Sequence, residues 1–280
     1  MQREGQDDRV LRETRLLSIL IVPFLVLGFG ILYLLPGHTR ELFAWTIKPQ
    51  ITAMMLGAAY LGGVYFFLRA ATTPSWVSVQ AGFLPVAVFA TLLGLTTILH
   101  WDRFNHAHIA FITWTALYFT TPFLVAAVWL RNRSRDPHTV REVDLPRPRA
   151  VGTVMIAVGV AVLACAAFLF LRTDVAIQVW PWSLTPLTAR VVASLFALAG
   201  VAQICTGLDR RWSASRVTLQ SQLLSLAAIE LATVLSWADF RPASSLRWAF
   251  AGGLLVLLLA IGALMVTMDL HRHSLRWGGK

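Results

Sequence analysis

The chain has 280 residues, 57% hydrophobic and only 14% charged, with a mean hydropathy of +0.66. A soluble domain is nearer half apolar and a quarter charged, so an ordinary water-soluble enzyme is excluded. The formal charge of +10 follows the alternation of loops rather than forming a basic patch, so nucleic acid is not an expected partner.

Apolar runs of about 20 residues recur, each long enough to cross a hydrocarbon core of roughly 30 Å. The first, Leu16–Leu35, follows a charged tail; it is too long for a signal h-region and no small-x-small cleavage site follows Pro36, so it is expected to be retained. Three more spans are predicted at Ile51–Ala70, Trp76–Trp101 and His108–Leu130. A basic loop then carries Arg131, Arg133, Arg135, Arg141, Arg147 and Arg149 among Pro137, Pro146 and Pro148, and reads as a solvated hinge. The last four spans are predicted at Arg149–Leu171, Ala189–Leu208, Val217–Trp237 and Leu246–Leu270.

The expected fold class is therefore an all-α polytopic membrane protein of eight transmembrane helices. Lys and Arg number 17 on the side of the N-terminus and 7 on the other. The positive-inside rule puts both termini in the cytoplasm of a bacterial inner membrane, with anionic lipids at that face. Trp45, Trp101, Trp180, Trp182 and Trp237 on one side, and Trp76, Trp129, Trp212 and Trp277 on the other, are expected to anchor at the headgroups. Cys165 and Cys205 provide neither a disulfide framework nor a zinc ligand set.

Two phrases recur in one register. Trp45-Thr-Ile-Lys-Pro49-Gln-Ile-Thr52-Ala53 aligns with Trp182-Ser-Leu-Thr-Pro186-Leu-Thr188-Ala189 after one deletion, at an offset of 137 and then 136. At 136, Thr97-Ile-Leu-His100-Trp101-Asp-Arg-Phe104 falls on Thr233-Val-Leu-Ser236-Trp237-Ala-Asp-Phe240. The expectation is two four-helix repeats, residues 1–142 and 143–280, in one membrane domain. Because four is even, the repeats run in the same direction, related by an axis along the membrane normal. In each phrase the proline is expected in the first helical turn, where its missing N–H costs nothing. The chain resembles uncharacterised bacterial multi-span proteins that carry this Trp-Thr/Ser-x-x-Pro-x-x-Thr-Ala phrase and a Trp-Asp-Arg-Phe after the third span. The resemblance rests on those two motifs and implies no activity.

Glu230 is the one acid well inside a span, seven residues or about 10 Å from Trp237 at a rise of 1.5 Å per residue. An ionisable group at that depth is expensive unless paired, protonated or wetted, so functional use is the default expectation. Thr233 shares its helix face, and Arg190 is the expected counter-charge, followed by Arg241 and Arg247. His100, Asp102, His106 and His108 gather three imidazoles and a carboxylate within nine residues, a donor set suited to an external zinc, copper or nickel ion. Against it, the spacing fits no established metal motif. Pro23, Pro85 and Pro122 lie seven to nine residues from one end of their spans and are expected to kink them.

These features favour a small-solute or ion permease with Glu230 working between two repeats. The alternatives are a non-catalytic assembly or sensory subunit, with a protein partner or a second copy, and then a membrane enzyme acting on lipid or envelope precursors through the histidines. No Gly-x-Ser-x-Gly, His-Glu-x-x-His or Gly-rich phosphate loop is present, and no cofactor is expected.

Overall fold

A computed structural model describes residues 8–137 and 144–277. Eight helices in it are long and apolar enough to cross a membrane. They are α1 (Arg12–Phe29, continued by a π-helical turn over Gly30–Leu34), α2 (Gln50–Thr72), α3 (Gln80–Leu99), α4 (Ile109–Asn132), α5 (Arg149–Leu171), α6 (Pro186–Leu208), α7 (Trp212–Leu235) and α8 (Leu246–Trp277). Among the described residues there is no β-sheet, only two isolated bridges. The protein is an integral membrane protein of all-α class. Hydrocarbon offers no partner for a backbone N–H or C=O, and a helix satisfies both within one segment. The helix persists through Pro23, Pro85 and Pro122.

Local chemistry sets the helix ends. Thr185 caps α6 in a reciprocal box with Thr188, and Pro186 occupies the first turn. Pro49 differs from the expectation: it precedes α2 as the capping residue, after a cis Lys48–Pro49 bond. At the other ends of α2 and α6, arginines satisfy carbonyls that the helix cannot pair. Arg15 donates to the carbonyls of Ala71 (2.8 Å) and Thr73 (2.7 Å). Arg147 donates to those of Gly207 (3.0 Å) and Asp209 (2.9 Å), each 136 positions further on. Arg147 is fully buried and Asp136 nearly so, which corrects the reading of this loop as a solvated hinge at both of those positions. Arg141 lies outside the described residues.

The helices form two rows. In one, α1 packs on α2, α2 on α7 and α7 on α8; in the other, α4 packs on α3, α3 on α6 and α6 on α5. The inner helices α2, α3 and α6 bury 56 to 67% of their apolar windows, whereas α1, α4, α5 and α8 bury 11 to 28% and leave the rest to lipid. Glycines let α5 and α6 approach closely. A Cβ on Gly159 would sit 2.7 Å from the Gly200 carbonyl, and one on Gly200 would sit 2.9 Å from the Gly159 carbonyl.

Contacts at the face opposite the N-terminus recur at separations of 136 or 137. Trp45 packs on Phe104 and Trp114 with ring centroids 5.0 and 4.8 Å away, and Trp182 packs on Phe240 and Phe250 at 5.2 and 5.0 Å. Asn105 N–H donates to the Ala44 carbonyl (2.9 Å), and Arg241 N–H to that of Pro181 (2.8 Å). On the N-terminal face Asp8 accepts from the N–H of Val77, and Asp144 from that of Ser213. Trp45, Trp76, Trp180, Trp182 and Trp212 are buried, not headgroup anchors as expected. Trp45, Trp180 and Trp182 fill the aromatic clusters on one face, Trp76 packs on Phe83 and Trp212 sits in an apolar cluster with Met155 and Leu219; two of the indoles find internal acceptors, Trp182 on Thr52 and Trp212 on Asp269.

Candidate functional site

The inner helices do not close completely. A cavity of about 130 Å³ lies between α2, α3, α6 and α7, with α5 and α8 contributing at its sides. Twelve of its lining residues form six pairs of positions 136 apart: Ala59 and Leu195, Gly63 and Ala199, Phe66 and Ala202, Gly82 and Thr218, Pro85 and Ser221, Val86 and Gln222. Its walls differ in chemistry. The α2 and α3 side is apolar, whereas α6 and α7 supply Gln203, Thr218, Ser221, Gln222 and Ser225.

Hydrogen bonding orders most of that polar wall. Gln203 Nε2 donates to Gln222 Oε1 at 3.3 Å, and Gln222 Nε2 reaches the Ala199 carbonyl at 3.5 Å, which is long for a hydrogen bond. Ser221 donates to the Gly62 carbonyl at 2.8 Å. Thr218 is 4% exposed, and its Oγ1 is buried without a partner. None of these residues stood out in the sequence reading. Hydroxyls and amides are common in spans, and only the packing shows which remain unpaired.

Glu230 is half-buried, with Oε1 buried and unpartnered. Its neighbour Ile229 lines the cavity, but Glu230 does not; it is a 100° step further round the helix. Leu223, seven residues back and so on the face of Glu230, lies 4.0 Å from a Cβ placed on Gly262 of α8. Glu230 therefore faces the α7–α8 side and not the seam between the two rows, contrary to the expectation. Its expected companions are elsewhere. Arg190 Nη1 is 2.6 Å from His100 Nε2, with its guanidinium 5.7 Å from the Phe170 ring centroid. Thr233 donates to the carbonyl of Ile229 on its own helix. Arg241 is spent on the carbonyls of Gln178 and Ile177, and Arg247 lies over the rings of Trp237 and Trp248.

The expected metal site is also corrected. His106 bonds to the Trp101 carbonyl, His108 Nδ1 accepts from the Ala110 N–H as the cap of α4, His100 meets Arg190, and Asp102 pairs with Arg103. The four side chains have four separate partners, and among the described residues no cluster of three or more such ligands forms. Burial, then the Arg190 charge, pushes the His100 pKa below its ordinary value, consistent with a neutral ring accepting from the guanidinium.

No protein-family model, curated protein or solved structure matches the chain.

Proposed function

We propose that the protein is a small-solute permease built from two parallel four-helix repeats, residues 1–142 and 143–280, with the central cavity as its solute site. The observation that carries this reading is the lining of the cavity by six pairs of positions 136 apart, as expected of a site on an axis relating two repeats. A site on such an axis is reached from either side when one repeat rocks against the other. The exchange of contacts supports the same axis: α2 packs on α7 as α6 packs on α3, and α1 on α2 as α5 on α6. Glu230 lies outside the cavity on the α7–α8 side, with Oε1 buried and unpartnered, and in this reading it couples a proton to the movement of α7 without touching the solute. Both ends are taken as cytoplasmic, on the strength of the 17-to-7 basic asymmetry.

Alternating access makes a direct test. In a background with Cys165 and Cys205 replaced by Ala, Ser225→Cys is exposed to a membrane-impermeant methanethiosulfonate in right-side-out and in inverted vesicles. Labelling in both orientations is expected, and Glu230→Gln is expected to shift the ratio between them. Labelling in one orientation only, or in neither, removes the permease reading.

A further inference from the structure

We propose that the central cavity binds an uncharged, ring-sized molecule that presents a carbonyl or hydroxyl oxygen to Thr218. The inference deepens the permease reading and rests on it for the choice of site.

Size sets the first limit. An apolar cavity of about 150 Å³ holds one benzene ring, and this one measures about 130 Å³. Charge sets the second. No lining residue is ionisable, and an ion without a counter-charge in such surroundings loses its hydration with nothing in return. The body of the ligand is apolar, because most of the lining is, Phe66, Val86, Leu195 and Ile229 included.

Thr218 identifies the polar end. Nine helical threonines in this structure return their hydroxyl to the carbonyl four residues back: residues 72, 91, 96, 97, 120, 153, 206, 233 and 267. The Thr218 hydroxyl does not, and it is buried without any partner. Thr115 is the other threonine of this kind, and it does not line the cavity. A buried hydroxyl left unpaired is a standing penalty that a ligand oxygen removes. One turn on, the Nε2 of Gln222 is held only at 3.5 Å and is free to turn toward a second oxygen. The position 136 before Thr218 is Gly82, where a Cβ would come within 2.2 Å of the Phe66 ring. At this paired position one half of the chain admits an aromatic wall and the other supplies a hydroxyl.

The test uses the full chain in phosphatidylethanolamine and phosphatidylglycerol nanodiscs, with equilibrium dialysis of radiolabelled 4-methylphenol, toluene and 4-methylbenzoate, corrected with empty discs. Saturable binding of one 4-methylphenol per chain is expected, with weaker binding of toluene and none of 4-methylbenzoate. Thr218→Val, which keeps the shape and removes the hydroxyl, should weaken 4-methylphenol about tenfold and leave toluene unchanged. Ala199→Leu, which fills the cavity, should abolish both; should that variant fail to fold, the contrast between the two ligands in Thr218→Val decides alone. No saturable binding of 4-methylphenol, equal binding of 4-methylbenzoate, or an unchanged affinity in Thr218→Val overturns the proposal. Binding as expected with one-sided labelling of Ser225→Cys removes transport and keeps the ligand class. Two-sided labelling without binding does the reverse.

Discussion

The fastening at the N-terminal face yields the strongest stability prediction. Arg211, just before α7, donates through Nη1 and Nη2 to the two oxygens of Asp136 at 2.6 and 2.7 Å. Through Nε and Nη2 it also reaches Asp209, at 3.0 and 2.6 Å. Gln80, at the start of α3, adds a bond to Asp136 at 2.9 Å. One guanidinium thus joins the ends of α4 and α6 to the starts of α3 and α7, with the Arg211 and Asp136 side chains 9% and 4% exposed. Hydrogen bonding to Asp136, and then to Asp209, holds the Arg211 proton more firmly than in free arginine despite burial. Removing one partner of a buried ion pair costs about 3–5 kcal/mol. Asp136→Asn should fall below that range, at about 2–3 kcal/mol, because Asp209 still balances the cation. Arg211→Met should cost more, about 4–5 kcal/mol, because it removes the shared guanidinium from two carboxylates at once. In the double variant Asp136 no longer needs a cation, so the two costs should fail to add by about 2 kcal/mol. Reversible unfolding in mixed micelles with increasing dodecyl sulfate, followed by tryptophan fluorescence, measures all three. Costs that add within about 0.5 kcal/mol, or equal costs for the two single variants, refute the reasoning.

Two further predictions come from other parts of the bundle. Gly200→Ala places a Cβ 2.9 Å from the Gly159 carbonyl and should cost about 1–3 kcal/mol in the same assay, whereas Gly252→Ala, with nothing within 4 Å, should cost less than about 0.5; equal effects would deny that α5 and α6 meet through glycine. Since the folded pKa of His100 lies below the ordinary 6.5, the unfolded chain takes up the proton first as pH falls, so stability should drop between about pH 7 and pH 5. His100→Gln should flatten that slope in melting curves, and a slope that persists in the variant assigns it to another group.

The eight spans were legible in the sequence because a bilayer leaves few alternatives: an apolar stretch of this length must satisfy its own backbone. The ends were less legible where polar chemistry overrides hydropathy. The third span was expected from Trp76 but α3 begins at Gln80, because Asp8 accepts from the hydroxyl of Ser75 and the N–H of Val77 and holds a turn there. The seventh was expected from Val217 but α7 begins at Trp212. Ser213, Ser215 and Arg216 made that stretch read as a loop, yet Ser213 bonds Asp144 and Arg216 pairs with Asp269.

The site was legible only in part, and the reason is which energies a sequence exposes. Charge is the largest visible cost in a span, so Glu230 and the histidines stand out in the sequence. The histidines turned out to be satisfied one by one within their own corner. A hydroxyl carries no such signal, because a helical threonine ordinarily returns its proton to its own backbone and vanishes from the account. Thr218 becomes informative only when its hydroxyl fails to return to the carbonyl of Ala214 and the surrounding helices bury it, two facts that belong to packing. The 136-residue offset was readable, but its consequence was not. Only the packing shows that positions 136 apart line one cavity, with Gly82 on its apolar side and Thr218 on its polar side.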